Sequence, residues 1–296
     1  MYEHLPSVPT SEELLDKAFR RASRAKSDEE MVRTAGNILS DSLANIIRRF
    51  PSFEGLHPFY REMADVVVGI DPMRISLSRI SWASRKIRQI SRDFRAVEGR
   101  RAAFGRISSV MRSVKPDLEF LIEARERLRR IPAIDPSRPA IIIAGYPNVG
   151  KSSFIARVTG SRPRIASYPF TTRAIHVGHL ERGGSVYQFL DTPGLLDRPA
   201  SQRNAIERQT IAALSHLQGA VLFIIDPSGH CGYPLHSQLK LAEELEGSIG
   251  LPMLIVANKA DILGHEGPAE MSTKTGQGVE EVLERLLAML RTRTPA

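Results

Sequence analysis

Gly145-Tyr146-Pro147-Asn148-Val149-Gly150-Lys151-Ser152 is the stretch on which the fold turns. It follows the apolar run Ala140–Ala144 and leads into helical spacing over 151–159, so it matches G-x-x-x-x-G-K-[ST] in the strand–loop–helix setting that this pattern requires. The glycines let backbone N–H groups turn inward around phosphate oxygens, at the positive end of the following helix. Lys151 has the reach for β- and γ-phosphates, and the Ser152 hydroxyl is placed to ligate Mg²⁺. The expected nucleotide contacts run from Tyr146 through Pro147, Asn148, Val149, Gly150, Lys151 and Ser152 to Ser153.

Downstream of it, short apolar runs at 174–179, 186–190, 220–225 and Met253–Ala257 read as further strands, with helices at 203–217, 235–247 and 277–291. That alternation implies an α/β P-loop domain, a mostly parallel sheet with helices on both faces. Arg182-Gly183-Gly184 reads as a hairpin turn that gives the sheet one antiparallel edge. Upstream, Pro132 to Pro139 is proline-rich and serves as a linker. Residues 1–131 read as an all-α antiparallel helical bundle. Leu14, Leu15, Ala18, Phe19 and Ala22 form one stripe, capped by Thr10 or Ser11, and Asp28–Arg49 and 58–70 supply two more helices. From Ile80, the positions Ala83, Ile87, Ile90, Phe94 and Val97 repeat every 3.5 residues, which predicts one long helix broken by Pro116. Leu118, Leu121, Leu128 and Ile131 continue in a shorter helix, and Trp82 is expected in the core. The expected domains are therefore 1–131 and 140–296, joined by 132–139.

Four more motifs follow the phosphate loop. Asp191-Thr192-Pro193-Gly194 ends a strand 39 residues after Ser152; the acid suits Mg²⁺ held through water, and the Gly194 N–H suits a γ-phosphate. In Asn258-Lys259-Ala260-Asp261, the carboxylate can accept two hydrogen bonds from guanine N1–H and the N2 amine, a pair that adenine does not offer. Asn258 would support the loop, and the Lys259 stem would lie along the ring. Pro169-Phe170-Thr171-Thr172 places a threonine to ligate Mg²⁺, and Ser272-Thr273-Lys274 offers backbone N–H groups to guanine O6. The nucleotide is therefore expected to be GTP or GDP. Ser272 follows Asn258 by only 14 positions, too few for the usual intervening helix and strand, so a reduced base-binding edge is expected.

GYPNVGKSS, YPFTTR and DTPGLLDRP resemble the Obg-related GTPases. The longer run DTPGLLDRP, RNAIERQTIAALSHL and GAVLFIIDPSGHCGY resembles the Nog family, whose members assist assembly of the large ribosomal subunit. The resemblance covers nearly all of 140–291, and the region 1–131 agrees with that family's N-terminal bundle in type and placement. It implies Mg²⁺ on Ser152, Thr172 and Asp191, with Thr172 rather than Thr171 as the metal-binding threonine. Lys151, Thr172 and Gly194 would carry the hydrolytic chemistry. The chain ends at Ala296, without the long C-terminal extension of eukaryotic Nog proteins, and in this is similar to a short archaeal form.

Leu195 stands where many signalling GTPases place a water-orienting glutamine, so slow hydrolysis is expected unless an ion or a ribosomal particle completes the site. Related GTPases with asparagine at the position of Asn148 use K⁺ there; an ordinary backbone-bonding role is the other reading of that residue.

The net charge of +8 is concentrated: residues 1–138 carry +7, and 74–112 hold 11 basic side chains against Asp93 and Glu98. Arg74, Arg79, Arg85, Lys86, Arg88, Arg92, Arg95, Arg100, Arg101, Arg106 and Arg112 are the expected contacts to ribosomal RNA of a large-subunit precursor, against the plainer reading of a solvated helix face. A GTP-ordered placeholder without catalysis, and an Obg- or Drg-like regulator of translation or stress, are the competing functions. No stretch approaches ~18 apolar residues in a row, and the N-terminus lacks a signal-peptide core. The single Cys231 excludes an internal disulfide, so a cytoplasmic monomer with no membrane partner is expected. His176, His179, His230, His236 and Cys231 lack metal-ligand spacing.

Overall fold

Caps set the first helix boundaries. The computed structural model describes residues 2, 5–95, 97, 99–131, 133–160, 164–167, 174–263 and 269–291. Thr10 begins α1 (Ser11–Ala22) with a capping box: its hydroxyl accepts from Glu13 N at 3.2 Å, and the Glu13 carboxylate accepts from Thr10 N at 2.8 Å. Ser27 caps α2 (Asp28–Arg49), and α3 (Pro58–Val68) follows.

The expected long helix is two helices, α4 (Ile70–Arg92) and α5 (Arg100–Ser113). Gly99, at φ 73, has a left-handed backbone that no helix interior holds, and Val97, assigned to the stripe, is 92% exposed. The stripe itself is real up to that point, since Ile80, Ala83 and Ile87 are fully buried. Pro116 breaks nothing. It lies in the first turn of α6 (Lys115–Leu128), where its missing N–H has no helical partner to lose. Trp82 is not core: it is 47% exposed on the outer face of α4.

The chain divides into two compact units, Met1–Gly55 with Val67–Arg129, and Leu56–Val66 with Arg130–Ala296. The segment 56–66, expected in the bundle, thus belongs to the second unit. Tyr60 there donates its hydroxyl to Ile134 O at 2.5 Å, and Glu62 accepts from His216 Nε2 at 2.8 Å. The expected linker is fastened too. Buried Gln188 donates to Asp135 O and accepts from Asp135 N, both at 2.8 Å.

The second unit is built on a seven-stranded sheet. Its strands are β1 (Ala140–Ala144), β2 (Arg164–Ser167), β3 (Ala174–Arg182), β4 (Ser185–Asp191), β5 (Gly219–Ile225), β6 (Met253–Ala257) and β7 (Ala269–Glu270), in the order β2-β3-β4-β1-β5-β6-β7. From β4 to β7 the pairing is parallel; β2 and β3 form the antiparallel edge. Gly183 and Gly184 turn β3 into β4 with φ of 57 and 76, the two left-handed positions of a tight hairpin. Every residue of β1 and β5 is buried, as expected where helices cover both faces. Those helices are α7 (Lys151–Thr159), α8 (Ala205–Leu214), α9 (Leu235–Ile249) and α10 (Val279–Arg291). Because Ile143 pairs with Asp191 and Ala144 with Phe223, β1, β4 and β5 end side by side. That shared carboxyl end is where open α/β sheets hold ligands.

Candidate nucleotide site

The phosphate loop leaves β1 through two glycines that no other residue could replace without displacement. Gly145 has φ 126, and a Cβ there would sit 2.3 Å from Ile224 O; Gly150 has φ 109, and a Cβ there would sit 2.1 Å from Asn258 Nδ2. Asn148 also takes a left-handed φ of 63, a conformation asparagine tolerates better than most side chains, which gives it a role in the backbone of the loop. Lys151 is buried, and its Nζ folds over the loop to donate to Gly145 O at 2.7 Å and Tyr146 O at 2.8 Å. Pro147 and Val149 complete the turn, Val149 being fully buried, and Ser152 and Ser153 lie in the first turn of α7.

Ser152 Oγ donates to Asp191 Oδ2 at 2.8 Å, so the two expected Mg²⁺ residues converge. Asp191 Oδ1 and Thr192 Oγ1 are buried with no hydrogen-bond partner among the described residues. A carboxylate oxygen left this way is costly, and a hydrated cation relieves it. A hydroxyl beside a carboxylate is the oxygen chemistry that Mg²⁺ takes, so the residues fit the ion. Thr171 and Thr172 lie outside the described residues. His176 Nδ1 stands 3.6 Å from Asp191 Oδ2, which places one of the histidines given no role beside this centre.

The base motif docks directly on the phosphate loop. Asn258 Nδ2 donates to Val149 O at 2.7 Å and to Thr273 Oγ1 at 3.0 Å, while its Oδ1 accepts from Thr273 N at 2.9 Å. Ser272 Oγ donates to Asp261 Oδ1 at 2.6 Å. That bond, helped by Lys274 and Lys259 against some burial, holds the Asp261 carboxyl below the usual carboxylate range. The group is therefore an acceptor at neutral pH, as guanine recognition needs. The short connection from Asn258 to Ser272 has a visible result: β7 is a strand of two residues. It still returns the Ser272 loop to the site. Two amides expected for guanine O6 are already given, Ser272 N to Gln277 O at 2.9 Å and Thr273 N to Asn258. Lys274 is the remaining amide of that motif.

Sequence reasoning missed Asp226. At the end of β5 it is fully buried, and it accepts from Lys259 Nζ at 2.6 Å, Ser228 Oγ at 2.5 Å and Cys231 N at 2.7 Å. Burial alone would push its pKa up; the bonds from Lys259, Ser228 and Cys231 outweigh it and hold the carboxyl below the usual carboxylate range. Asp226 thereby fixes Lys259, whose own φ is 67. The signal available was an acid directly after a strand, inside the quoted run GAVLFIIDPSGHCGY. The same loop carries Tyr233, whose ring stacks on Tyr146 with centroids 4.2 Å apart.

Two family models match the chain: the NOG1 N-terminal helical domain over residues 2–135, and nucleolar GTP-binding protein 1 (NOG1) over 205–261. The chain belongs to the NOG1 family. An uncharacterized protein of Methanocaldococcus jannaschii is 35% identical over 292 residues, 90% of this chain and 82% of that protein. Nucleolar GTP-binding protein 1 of Saccharomyces cerevisiae is 31% identical over 95% of this chain, and that of Encephalitozoon cuniculi 36% over 80%. This chain spans 48% and 47% of those two NOG1 proteins, so it covers under half of each. A crystal structure of a putative nucleolar GTP-binding protein 1 from Plasmodium falciparum is 35% identical, covering 55% of this chain and 91% of that one, with a TM-score of 0.49.

The basic segment of this NOG1 chain is partly neutralised in space. Arg74 meets Glu54 at 3.4 Å, Arg79 meets Asp117 at 3.5 Å, Arg88 meets Asp41 at 2.6 Å and Arg100 meets Asp28 at 3.0 Å. Counting acids only within 74–112 missed these partners, which come from α2, α6 and the 50–57 loop. Trp82, Arg85, Lys86, Gln89 and Arg92 share one exposed face of α4. No helix among the described residues is long and apolar enough to cross a membrane.

Proposed function

We propose that this chain binds GTP and GDP with Mg²⁺ and hydrolyses GTP slowly, as a switch in large ribosomal subunit assembly, with the helical unit docking on ribosomal RNA. The observation that carries the nucleotide reading is the bond from Asn258 Nδ2 to Val149 O, which locks the base motif to the phosphate loop. Asp261 accepts from guanine, Lys274 N–H faces O6, and Lys151 leaves its loop carbonyls for the phosphates. Mg²⁺, held by Ser152, Thr172 and, through water, Asp191, would neutralise charge on the β- and γ-phosphates. Gly194 N–H steadies the γ-phosphate. Leu195 is buried and has no polar atom to orient water, which supports a slow intrinsic rate.

The test of guanine recognition is competition for a fluorescent GTP by GTP, ATP and XTP. Wild type is expected to discriminate against ATP by at least about 100-fold, and Asp261→Asn to turn that preference toward XTP, because an amide offers one acceptor and one donor where xanthine has the complementary pair. Equal competition by ATP would refute it.

The assembly role is supported by family membership and by the α4 face, where an exposed tryptophan stands among arginines. Single-turnover hydrolysis should rise when immature large subunits are added; no stimulation would favour a placeholder in which GTP only orders the switches. Asn148 would hold K⁺ near the phosphates, and equal turnover in KCl and NaCl would leave it with its backbone role alone. Sedimentation with mature ribosomes rather than precursors would favour a translation or stress regulator. A monomer in the cytoplasm, away from membranes, completes the reading.

A further inference from the structure

The segment after β4 contains a carboxylate in an unexpected place. Gly194 N, the amide assigned to the γ-phosphate, donates to Asp197 Oδ2 at 2.8 Å. Asp197 is buried at 7% exposure. The turn is tied down on both sides: Leu195 N donates to Thr192 O at 3.1 Å, and Leu196 O accepts from Gly145 N of the phosphate loop at 3.2 Å. An anionic oxygen therefore already sits on the donor that a γ-phosphate oxygen would use. Two anions cannot share that one N–H, so GTP has to displace the carboxylate, whereas GDP does not.

A displaced, buried carboxylate needs a new donor. Arg203 is 5% exposed, and one of its terminal nitrogens donates to Arg198 O at 2.8 Å. Its Nε is buried with no hydrogen-bond partner among the described residues. Burial pulls its guanidinium below the usual range, while the carboxylates of Glu244, Glu207 and Asp197 push it back up. An unfilled guanidinium N–H within electrostatic range of Asp197 is a ready landing place.

Resting on the reading of this site as a GTP site, we propose that Asp197 sets the preference between GTP and GDP. Its carboxylate holds Gly194 N–H in the place of the γ-phosphate, and it turns to Arg203 Nε when GTP arrives. The closed form binds GDP; the open form binds either nucleotide. The affinity for GTP is then lowered by the fraction of molecules that are open, while that for GDP is not.

The experiment measures dissociation constants of the full chain for GDP and for a non-hydrolysable GTP analogue, with Mg²⁺, and compares their ratio among variants. Asp197→Ala should shift the ratio about tenfold toward the GTP analogue, the scale of one charge-assisted hydrogen bond. Asp197→Asn, which keeps shape and a weaker acceptor, should shift it less in the same direction. Arg203→Lys, which lacks the Nε–H, should shift it several-fold toward GDP. A ratio within twofold of wild type for both Asp197 variants, or a shift toward GDP, overturns the proposal. Loss of both nucleotides in Asp197→Ala with an unchanged ratio in Asp197→Asn also overturns it, as a purely structural role. Failure of the wild-type chain to bind either nucleotide would instead overturn the GTP reading beneath it.

Discussion

Gly150 joins the two halves of the nucleotide site, because the space its missing Cβ leaves is filled by Asn258 Nδ2. Gly150→Ala would combine a left-handed φ with an overlap between the new Cβ and the Asn258 amide, a cost of about 1–3 kcal/mol placed at the loop that cradles phosphate. Nucleotide affinity should fall roughly 10- to 100-fold with helix content unchanged; circular dichroism beside nucleotide titration reads both. Asp226 makes a second residue-scale prediction. Asp226→Asn leaves Lys259 Nζ without its buried anion, at a cost of about 2–3 kcal/mol, discounted because the lysine is partly exposed. The folded carboxyl titrates below its unfolded value of about 3.9, so the stability it adds is full above that pH and is lost as pH falls through the folded value. Urea denaturation should therefore show a constant gap between wild type and Asp226→Asn from about pH 8 to 5, closing toward pH 3. A gap that widened in acid would contradict this. Gly150, Lys151, Asn258 and Asp261 were legible because their chemistry is written in local spacing. Asp226 and Asp197 were not: what matters about each is a partner, Lys259 or the Gly194 amide, that spacing does not reveal.

At the scale of elements, periodicity found the apolar stripe of α4 but not where the helix stops. The 3.5-residue repeat counts side chains, whereas the stop is a backbone event at Gly99, and Val97 satisfied the pattern while pointing outward. β2 and β7, of four and two residues, are too short to show any alternation and exist through pairing with β3 and β6. Charge was legible as a sum and misleading as a surface. Acids from other helices pair with Arg74, Arg79, Arg88 and Arg100, so the arginines that matter for RNA differ from those most obvious in the chain. If α4 docks on RNA, reversing Arg85 and Arg92 should weaken binding uniformly and flatten the dependence of log affinity on log salt by about 1–2 units. Trp82→Ala should lower affinity about 5- to 100-fold for single-stranded RNA, with the slope kept, if a base stacks on it. Filter binding at several salt concentrations separates the two effects. An unchanged slope in Arg85→Glu/Arg92→Glu would exclude this face.

For the whole molecule, the consequential departure is the placing of Leu56–Val66 with the sheet-bearing unit. A boundary drawn at the proline-rich stretch cuts the chain at 131 and 132, and it strips that unit of a piece that lies far upstream. Phe59, Tyr60 and Met63 are each buried, with exposures of 1%, 5% and 1%. Within the unit, Ile134 O depends on the Tyr60 hydroxyl and His216 on Glu62. Losing a buried aromatic contact costs about 1.5–3 kcal/mol, and for a unit of this size each kcal/mol moves the melting temperature by roughly 2–4 °C. A fragment of residues 132–296 should accordingly melt at least about 5 °C below one in which 56–66 is fused ahead of 130–296 through a flexible Gly/Ser linker. Differential scanning calorimetry of the two fragments decides it, and equal melting temperatures would show that the segment adds nothing. The fused fragment should also hold GDP more tightly at a temperature where the shorter one has begun to unfold, since nucleotide binds only the folded unit. An early stretch of chain is thus built into the structure that a later stretch uses for chemistry, and separating the two by cutting between domains would remove stability from the nucleotide site itself.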